Sequence, residues 1–312
     1  MRHLLPALAV CFTSANLCFG AFSKEDAGTA TAQFLKLGAG ARAAGLGNAY
    51  VALADDANAV YWNPAGMTQI DDQSASFTHT VWFEDIVYNW ASYVRPLKEG
   101  KLGVGIQYLS YGKLDAFDEM GTQTGAFKPR DLAATVSYGN KIGGIPVGAS
   151  VKYISSKIKT SASAFALDLG GMYQLYEDKF SVGLAIQNVG TKMTFVDDGE
   201  KLPANIKLGG AYKGREYLIL AADLNMPVDG AINYGAGVEY KVFKNEDSCL
   251  AARLGYSSRA NQTGGFSGTT VGFGFDYRGL YTDYAFASFG DLGATHWISL
   301  GINFGGTAAQ KK

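Results

Sequence analysis

From Ser74 onward the chain is written in short segments that alternate between apolar and small or polar residues, with the period of two that a β-strand imposes. In 101–110, Leu102, Val104, Ile106 and Tyr108 fall on one face, and Gly103, Gly105 and Gln107 on the other. In 270–277, Val271, Phe273, Phe275 and Tyr277 oppose Gly272, Gly274 and Asp276, and in 297–304, Ile298, Leu300, Ile302 and Phe304 oppose Ser299, Gly301 and Asn303. One face is greasy and often ends in an aromatic, while the other is Gly, Ala, Ser and occasional charge. Lipid outside and a crowded lumen inside select this pattern. No segment beyond the N-terminus has 18 uninterrupted apolar residues, so the strands, rather than helices, are the candidates for spanning a membrane.

The segments number about fourteen: 75–80, 86–95, 101–110, 131–138, 145–157, 164–174, 179–189, 205–212, 217–225, 231–240, 249–256, 269–277, 281–287 and 297–304. The long connections, 111–130, 190–204, 257–268 and 288–296, all follow odd-numbered strands, while even-numbered strands end in short turns. The early odd connections, 81–85 and 158–163, are short as well. Long outer loops alternating with short inner turns are the habit of bacterial outer-membrane barrels. The expected fold is therefore all-β: a single up-and-down antiparallel transmembrane β-barrel of about fourteen strands, preceded by a short N-terminal segment. A soluble β-sandwich is the competing architecture, but it would expose charge on its second face, where this chain places Gly, Ala and Ser.

Residues 1–20 read as an export signal. Arg2 supplies the positive start, 4–17 are mostly apolar, and Cys18 and Gly20 are spaced for cleavage before Ala21. Cleavage there removes Cys11 and Cys18 and leaves Cys249, which rules out an intramolecular disulfide framework. Formal net charge is −1, so no basic excess points to nucleic acid. The reading divides the chain into a signal (1–20), a plug segment (21–73), a barrel (74–304) and a tail (305–312).

Residues 38–67 do not alternate. They are rich in Ala and Gly, with helical spacing through 49–53 and again over 56–61, where Asp55 or Asp56 could cap a helix. Pro64 disfavours the helical region at Asn63 and so stops it. The run Phe34-Leu35-Lys36-Leu37-Gly38, Gly40-Ala41-Arg42-Ala43-Ala44-Gly45, Ala49-Tyr50-Val51-Ala52-Leu53-Ala54-Asp55-Asp56 and Tyr61-Trp62-Asn63-Pro64-Ala65-Gly66 closely resembles the start of PorV/PorQ-family proteins. These are outer-membrane barrels within the wider group similar to FadL, the long-chain fatty acid transporter. The resemblance covers about thirty residues closely and the rest in pattern. It implies a fourteen-stranded barrel and a plug role for Asn63, Pro64 and Ala65.

Lys152, Asp168, Asp223, Glu239, Arg253 and Asp276 fall on the non-lipid side of their strands, where buried charge needs a partner. Arg42, in an otherwise uncharged stretch, is expected to pair with one of these acids or to point into periplasmic water. Trp82, Phe83, Tyr88, Trp90, Tyr93, Tyr281, Tyr284 and Trp297 read most simply as interface aromatics. No metal-binding, phosphate-binding or hydrolase motif is present, and His296 near Asp291 is the lone catalytic candidate. The reading is a non-enzymatic protein without cofactor. The final strand departs from a usual insertion signal, with Ser299 where Gly is common and a tail after Phe304.

The resemblance implies partners in protein export: the type IX secretion machinery and secreted proteins with C-terminal signal domains, with outer-membrane lipid around the barrel. A FadL-like carrier of a hydrophobic small molecule and a closed structural barrel are the alternatives.

Overall fold

The computed structural model describes residues 27–84, 86–176, 179–260 and 266–305. The signal reading and the tail beyond Gly305 lie outside the described residues. Fourteen strands form one closed antiparallel barrel. They are β1 (Gln73–Val81), β2 (Val87–Pro96), β3 (Lys101–Ser110), β4 (Arg130–Ile142), β5 (Ile145–Lys157), β6 (Ser161–Leu175) and β7 (Phe180–Gly190), then β8 (Asn205–Arg215), β9 (Leu218–Pro227), β10 (Asn233–Lys244), β11 (Ser248–Ser257), β12 (Thr269–Tyr277), β13 (Leu280–Ser288) and β14 (Ala294–Phe304). Each strand pairs with its sequence neighbour, and β1 pairs with β14 from Gln73↔Phe304 to Val81↔His296, which removes every free edge from the wall.

The fourteen expected segments each become one strand: 101–110, 145–157 and 269–277 keep their bounds, 86–95 and 179–189 shift by one residue, and the rest run longer because pairing continues past the apolar band. Connections after even strands are short: 97–100, 143–144, 176–179, 216–217, 245–247 and 278–279. The long ones, 111–129, 191–204 and 258–268, all lie at the opposite end, the outer side by the rule for bacterial barrels. Two of these are not plain loops. Leu114–Phe117 pairs with Gln123–Phe127, and Met193–Thr194 with Gly199–Glu200. The first hairpin is set by its turn: Asp118 Oδ1 accepts from the backbone N–H groups of Met120 and Thr122, and Gly121 takes a φ of 78°.

Residues 27–72 fill the lumen. The first described residues lie at the outer end, where Thr31 N–H donates to Lys201 O, and the segment runs inward to β1. Its helices are short: α1 (Ala41–Gly45), α2 (Ala59–Trp62) and two 3-10 segments, Gln33–Lys36 and Pro64–Gln69. Helical spacing over 49–53 does not produce a helix; 51–53 form a turn instead, and the first α-helical turn comes earlier, at α1. The wall supplies the reason, because the backbone at Tyr50 and Val51 donates to an Asp223 carboxylate rather than along a helix. α2 stops at Trp62, with Asn63 extended ahead of Pro64 as expected.

Plug and wall fit through missing side chains. Inward-facing Gly148, Gly170, Gly183, Gly235, Gly237 and Gly255 touch the plug so closely that a Cβ on any of them would overlap it. A Cβ on Gly237 would stand 2.5 Å from Leu46 O, and one on Gly183 2.6 Å from Val51 O. The small inner face is thus the imprint of the plug. Gly237→Val is expected to loosen the plug by about 1–3 kcal/mol, the cost of overpacking a filled interior. Gly171→Ala, whose Cβ meets nothing within 4 Å, is the neutral control. Hydrogen exchange over 41–56 in the heat-modifiable, folded barrel measures both, and equal protection in the two variants contradicts the fit.

Candidate functional site

The site is the contact between the plug and the wall, and three sets of polar interactions make it. At the outer end, Lys36 Nζ lies 2.8 Å from Asp229 Oδ2 in the β9–β10 connection, and Gln33 Nε2 donates to the same oxygen. Near the middle, Asp223 on β9 accepts the N–H groups of Tyr50 and Val51 at 2.7 and 2.9 Å. Toward the inner end runs a chain of ion pairs. Arg42 Nη1 reaches Asp55 at 2.7 Å and its Nε reaches Glu239 on β10 at 2.8 Å. Glu239 also pairs with Arg253 on β11 at 2.7 Å, and Arg253 with Asp283 on β13 at 2.6 Å. Lys213 on β8 closes the other end on Asp55 at 2.9 Å. Cations and anions alternate along Lys213, Asp55, Arg42, Glu239, Arg253 and Asp283, so each buried charge has an opposite neighbour.

Arg42 can span this distance because α1 sits against β11–β14 through small residues, with the Ala41 N–H donating to Ser299 Oγ at 2.8 Å. Burial alone would push the Asp55 carboxyl up, but Arg42 and Lys213 hold it well below the usual range. Burial dominates at Asp56 and leaves it above its ordinary value, with the Tyr50 hydroxyl donating to it at 2.8 Å. Asp56 does not cap α2 from the N-cap position; its Oδ1 accepts from Asn58 N–H and turns the chain ahead of the helix.

Asn63, Pro64 and Ala65 form the opposite anchor. Asn63 Oδ1 accepts from Ala65 N–H, while its Nδ2 donates to Val51 O within the plug and to Gly171 O on β6. Pro64 and Ala65 lie over Gly148 on β5, so an asparagine amide and a bare strand together seat the turn.

The remaining inward charges stand apart from the plug chain. Lys152 Nζ lies 2.6 Å from Asp168 Oδ2 and donates to Asn188 Oδ1, while Asp168 Oδ1 accepts from the Asn188 N–H. Asn188 has a φ of 60° where the β6–β7 register shifts, so this pair clamps a bulge. Asp276 accepts from the Gly279 N–H and shapes the β12–β13 turn. Asp283 and Lys213 were not singled out in the sequence, although Asp283 shares the inward parity of Ala285; Lys213 lies just past the expected end of its strand.

Several aromatics read as membrane-interface residues turn inward instead. Tyr88, Trp90 and Trp297 are buried in the lumen, where Tyr88 donates to Gly38 O and Trp90 to Asn58 Oδ1. Tyr281 also has inward parity. Plug oxygens select Tyr88 and Trp90, while Trp297 has the parity of Ser299 and Gly301 on the lumen face and donates to Thr295 Oγ1. Tyr93 and Tyr284 do face outward, and Tyr284 holds His296 Nδ1 at 2.8 Å on that face. Trp82 and Phe83 instead pack with Phe289 at the outer mouth.

Cavities lie on both sides of the plug. An inner vestibule of about 290 Å³ exposes Arg42, Asp55, Glu239, Arg253 and Asp283. Toward the outer end are a polar cavity of about 40 Å³ beside Lys207 and Asp223 and a mainly apolar one of about 170 Å³ between Leu37, Trp82, Phe289 and Trp297. The inner vestibule shares no lining residue with either outer cavity.

Arg42→Met, which keeps the stem and removes the charge, is expected to weaken plug seating by about 1–3 kcal/mol, below the full cost of stranding a buried charge because Lys213 and Arg253 remain beside the two acids. Faster exchange confined to 41–56 is the readout. The depressed Asp55 group contributes stability that is complete above the ordinary carboxylate range and is lost as pH falls below about 4. Asp56 acts in the opposite sense, favouring the folded plug when protonated. The Asp55 contribution to plug protection should therefore fall away below about pH 4, with Asp56 opposing the fall, and Asp55→Asn should shrink that acid step. An undiminished step in the variant counts against the clasp.

The fold is shared with solved toluene transporters and a FadL homologue. The toluene transporter TodX of Pseudomonas putida superposes with a TM-score of 0.60 at 15% identity, covering 85% of this chain and 97% of that one. The toluene transporter TbuX of Ralstonia pickettii gives 0.58 at 14%, covering 86% and 99%. A Pseudomonas aeruginosa FadL homologue gives 0.51 at 12%, covering 82% and 96%. No curated protein sequence matches the chain. The family profile described as "Type IX secretion system protein PorV" matches residues 21–227, the whole plug and the wall through β9, and the chain belongs to the PorV family.

Proposed function

We propose that this barrel serves type IX secretion from the outer membrane, engaging exported proteins with C-terminal signal domains, and other secretion components, at its outer connections rather than passing them through its own lumen. The family match over 21–227 carries the reading. Its geometry is compatible: the lumen is occupied by 27–72, whereas the connections 111–129 and 191–204 present paired hairpins and exposed apolar residues such as Phe117, Met120 and Val196. The proposed role is non-catalytic, with the plug motif and its ion-pair chain holding the lumen shut.

A second reading has one observation behind it. The apolar cavity of about 170 Å³ beneath the outer connections has the size and lining to hold a small hydrophobic molecule, since apolar cavities of about 150 Å³ bind benzene. A FadL-like carrier would load there and release through the wall or past a displaced plug. The wall beside this cavity, β11 to β14 and β1, is paired without a register shift, and the bulge at Asn188 lies in the β6–β7 ladder away from the cavity lining.

Affinity purification of the protein from native outer membrane, with mass spectrometry of both proteins and lipids, separates these roles. Recovery of secreted proteins with C-terminal signal domains is the expected result, and deletion of 114–127 should abolish it while the barrel stays folded. A stoichiometric hydrophobic ligand, lost in Trp82→Ala/Phe289→Ala and unaccompanied by cargo, would overturn the secretion reading. Neither cargo nor ligand would leave a closed structural barrel.

A further inference from the structure

The outward face of the wall carries a second feature, independent of the plug. Lys128, Arg130, Lys157 and Lys159 surround a shallow concavity of about 470 Å³ at the outer ends of β4 and β5, completed by Phe127 and Ile158. All four cations are exposed. Arg130 and Lys157 stand directly opposite each other across the β4–β5 ladder, an arrangement that like charges disfavour. No acid lies within ion-pairing distance of the four among the described residues, and Lys159 Nζ rests 5.7 Å from the centre of the Phe127 ring. Four unneutralised cations held together make a strongly attractive site for an anion.

We propose that this cluster binds the phosphate-bearing headgroup of an anionic lipid of the outer leaflet. The layers beneath it identify the occupant. Descending the outward positions from Lys157, the register places Ser155 opposite Ser163, then Tyr153 opposite Phe165 with ring centres 5.4 Å apart, then Val151 opposite Leu167. On β4 the same levels hold Arg130, Leu132, Ala134 and Val136. Cation, hydroxyl, aromatic and aliphatic follow one another in the order that a phosphorylated lipid presents phosphate, polar backbone, interface and acyl chain. Lys157 to Tyr153 spans roughly 13 Å along the strand, and less in depth because barrel strands tilt. The corresponding outward positions at the outer ends of β1, β2 and β3 are Val81, Val87 and Ser110, so the charge does not continue onto that neighbouring stretch of the rim. A soluble acidic protein would match the four cations but not the hydroxyl, aromatic and aliphatic steps that continue below them into the membrane band.

The site lies outside the lumen, and so its failure and that of the secretion reading are separate events. The test titrates the full-length mature protein, in a zwitterionic detergent, with diphosphoryl lipid A, the same lipid dephosphorylated, inorganic phosphate, and a polyglutamate peptide. Diphosphoryl lipid A should bind at least tenfold more tightly than the other three, with affinity that falls as salt rises. Replacement by serine at Lys128, Arg130, Lys157 and Lys159, singly and together, should weaken it roughly fivefold for each cation removed. Arg130→Lys should retain binding, and Lys141→Ser/Lys244→Ser at the inner end should leave it unchanged. Heat-modifiable migration establishes that each variant is folded. Unchanged affinity in the fourfold variant, equal binding of the dephosphorylated lipid, phosphate alone binding as tightly as the lipid, or tighter binding of polyglutamate would each overturn the proposal.

Discussion

In hydrocarbon no water is available to satisfy a peptide N–H or C=O, so a strand wall can cross a membrane only if its first and last strands find each other. The ladder between β1 and β14 meets this condition over the whole length of β1. Closure creates an inside, and the inside must be solvated or filled. This chain fills it with its own N-terminal segment, whose backbone can approach the wall because inward positions are so often glycine. The apolar outer face and the bare inner face are therefore two consequences of one closed ladder.

Filling the lumen removes water from any charge within it. A carboxylate such as Glu239 on a strand wall needs cations close by, and here one comes from the wall, Arg253, and one from the plug, Arg42. The alternation of charge along the inner chain means that plug and wall each complete the other's electrostatics. Packing and charge act at different places: the Asn63-Pro64-Ala65 turn lies against β5 and β6, whereas α1 and its arginine lie toward β10–β14. The plug is thus held across the full diameter of the barrel, and displacing it requires breaking both contacts.

The two ends of the molecule differ in kind. The outer end bears the long connections, their hairpins, an apolar cavity walled by Trp82, Phe289 and Trp297, and the cationic rim of β4 and β5. The inner end has tight turns and a charged vestibule that opens onto Arg42 and Asp55. The proposed contacts with exported proteins and with outer-leaflet lipid both draw on the outer end, while the inner vestibule exposes the ion pairs between plug and wall. This polarity fits a protein that works at the cell surface and stays closed through the membrane.

Alternation made the strands legible because each strand carries its own period-two record of which side is wet or greasy, and that record is local. The parity of Lys152, Asp168, Asp223, Glu239, Arg253 and Asp276 could be read in the same way, as could the stop at Pro64. Which charges meet was not legible. Lys152 and Asp168 clamp a bulge, Asp223 accepts plug backbone, and Asp276 shapes a turn, although all four looked alike in the sequence. Tyr88 and Trp90 showed the same limit, since an aromatic residue type suits either a membrane interface or a plug oxygen. Strand number, facing and outward polarity were determined by the sequence alone, because they depend on neighbours two residues apart. The partners of Arg42 and the course of the plug were decided only by the closed barrel, which brings residues nearly two hundred positions apart, as Arg42 and Glu239 are, within hydrogen-bonding distance.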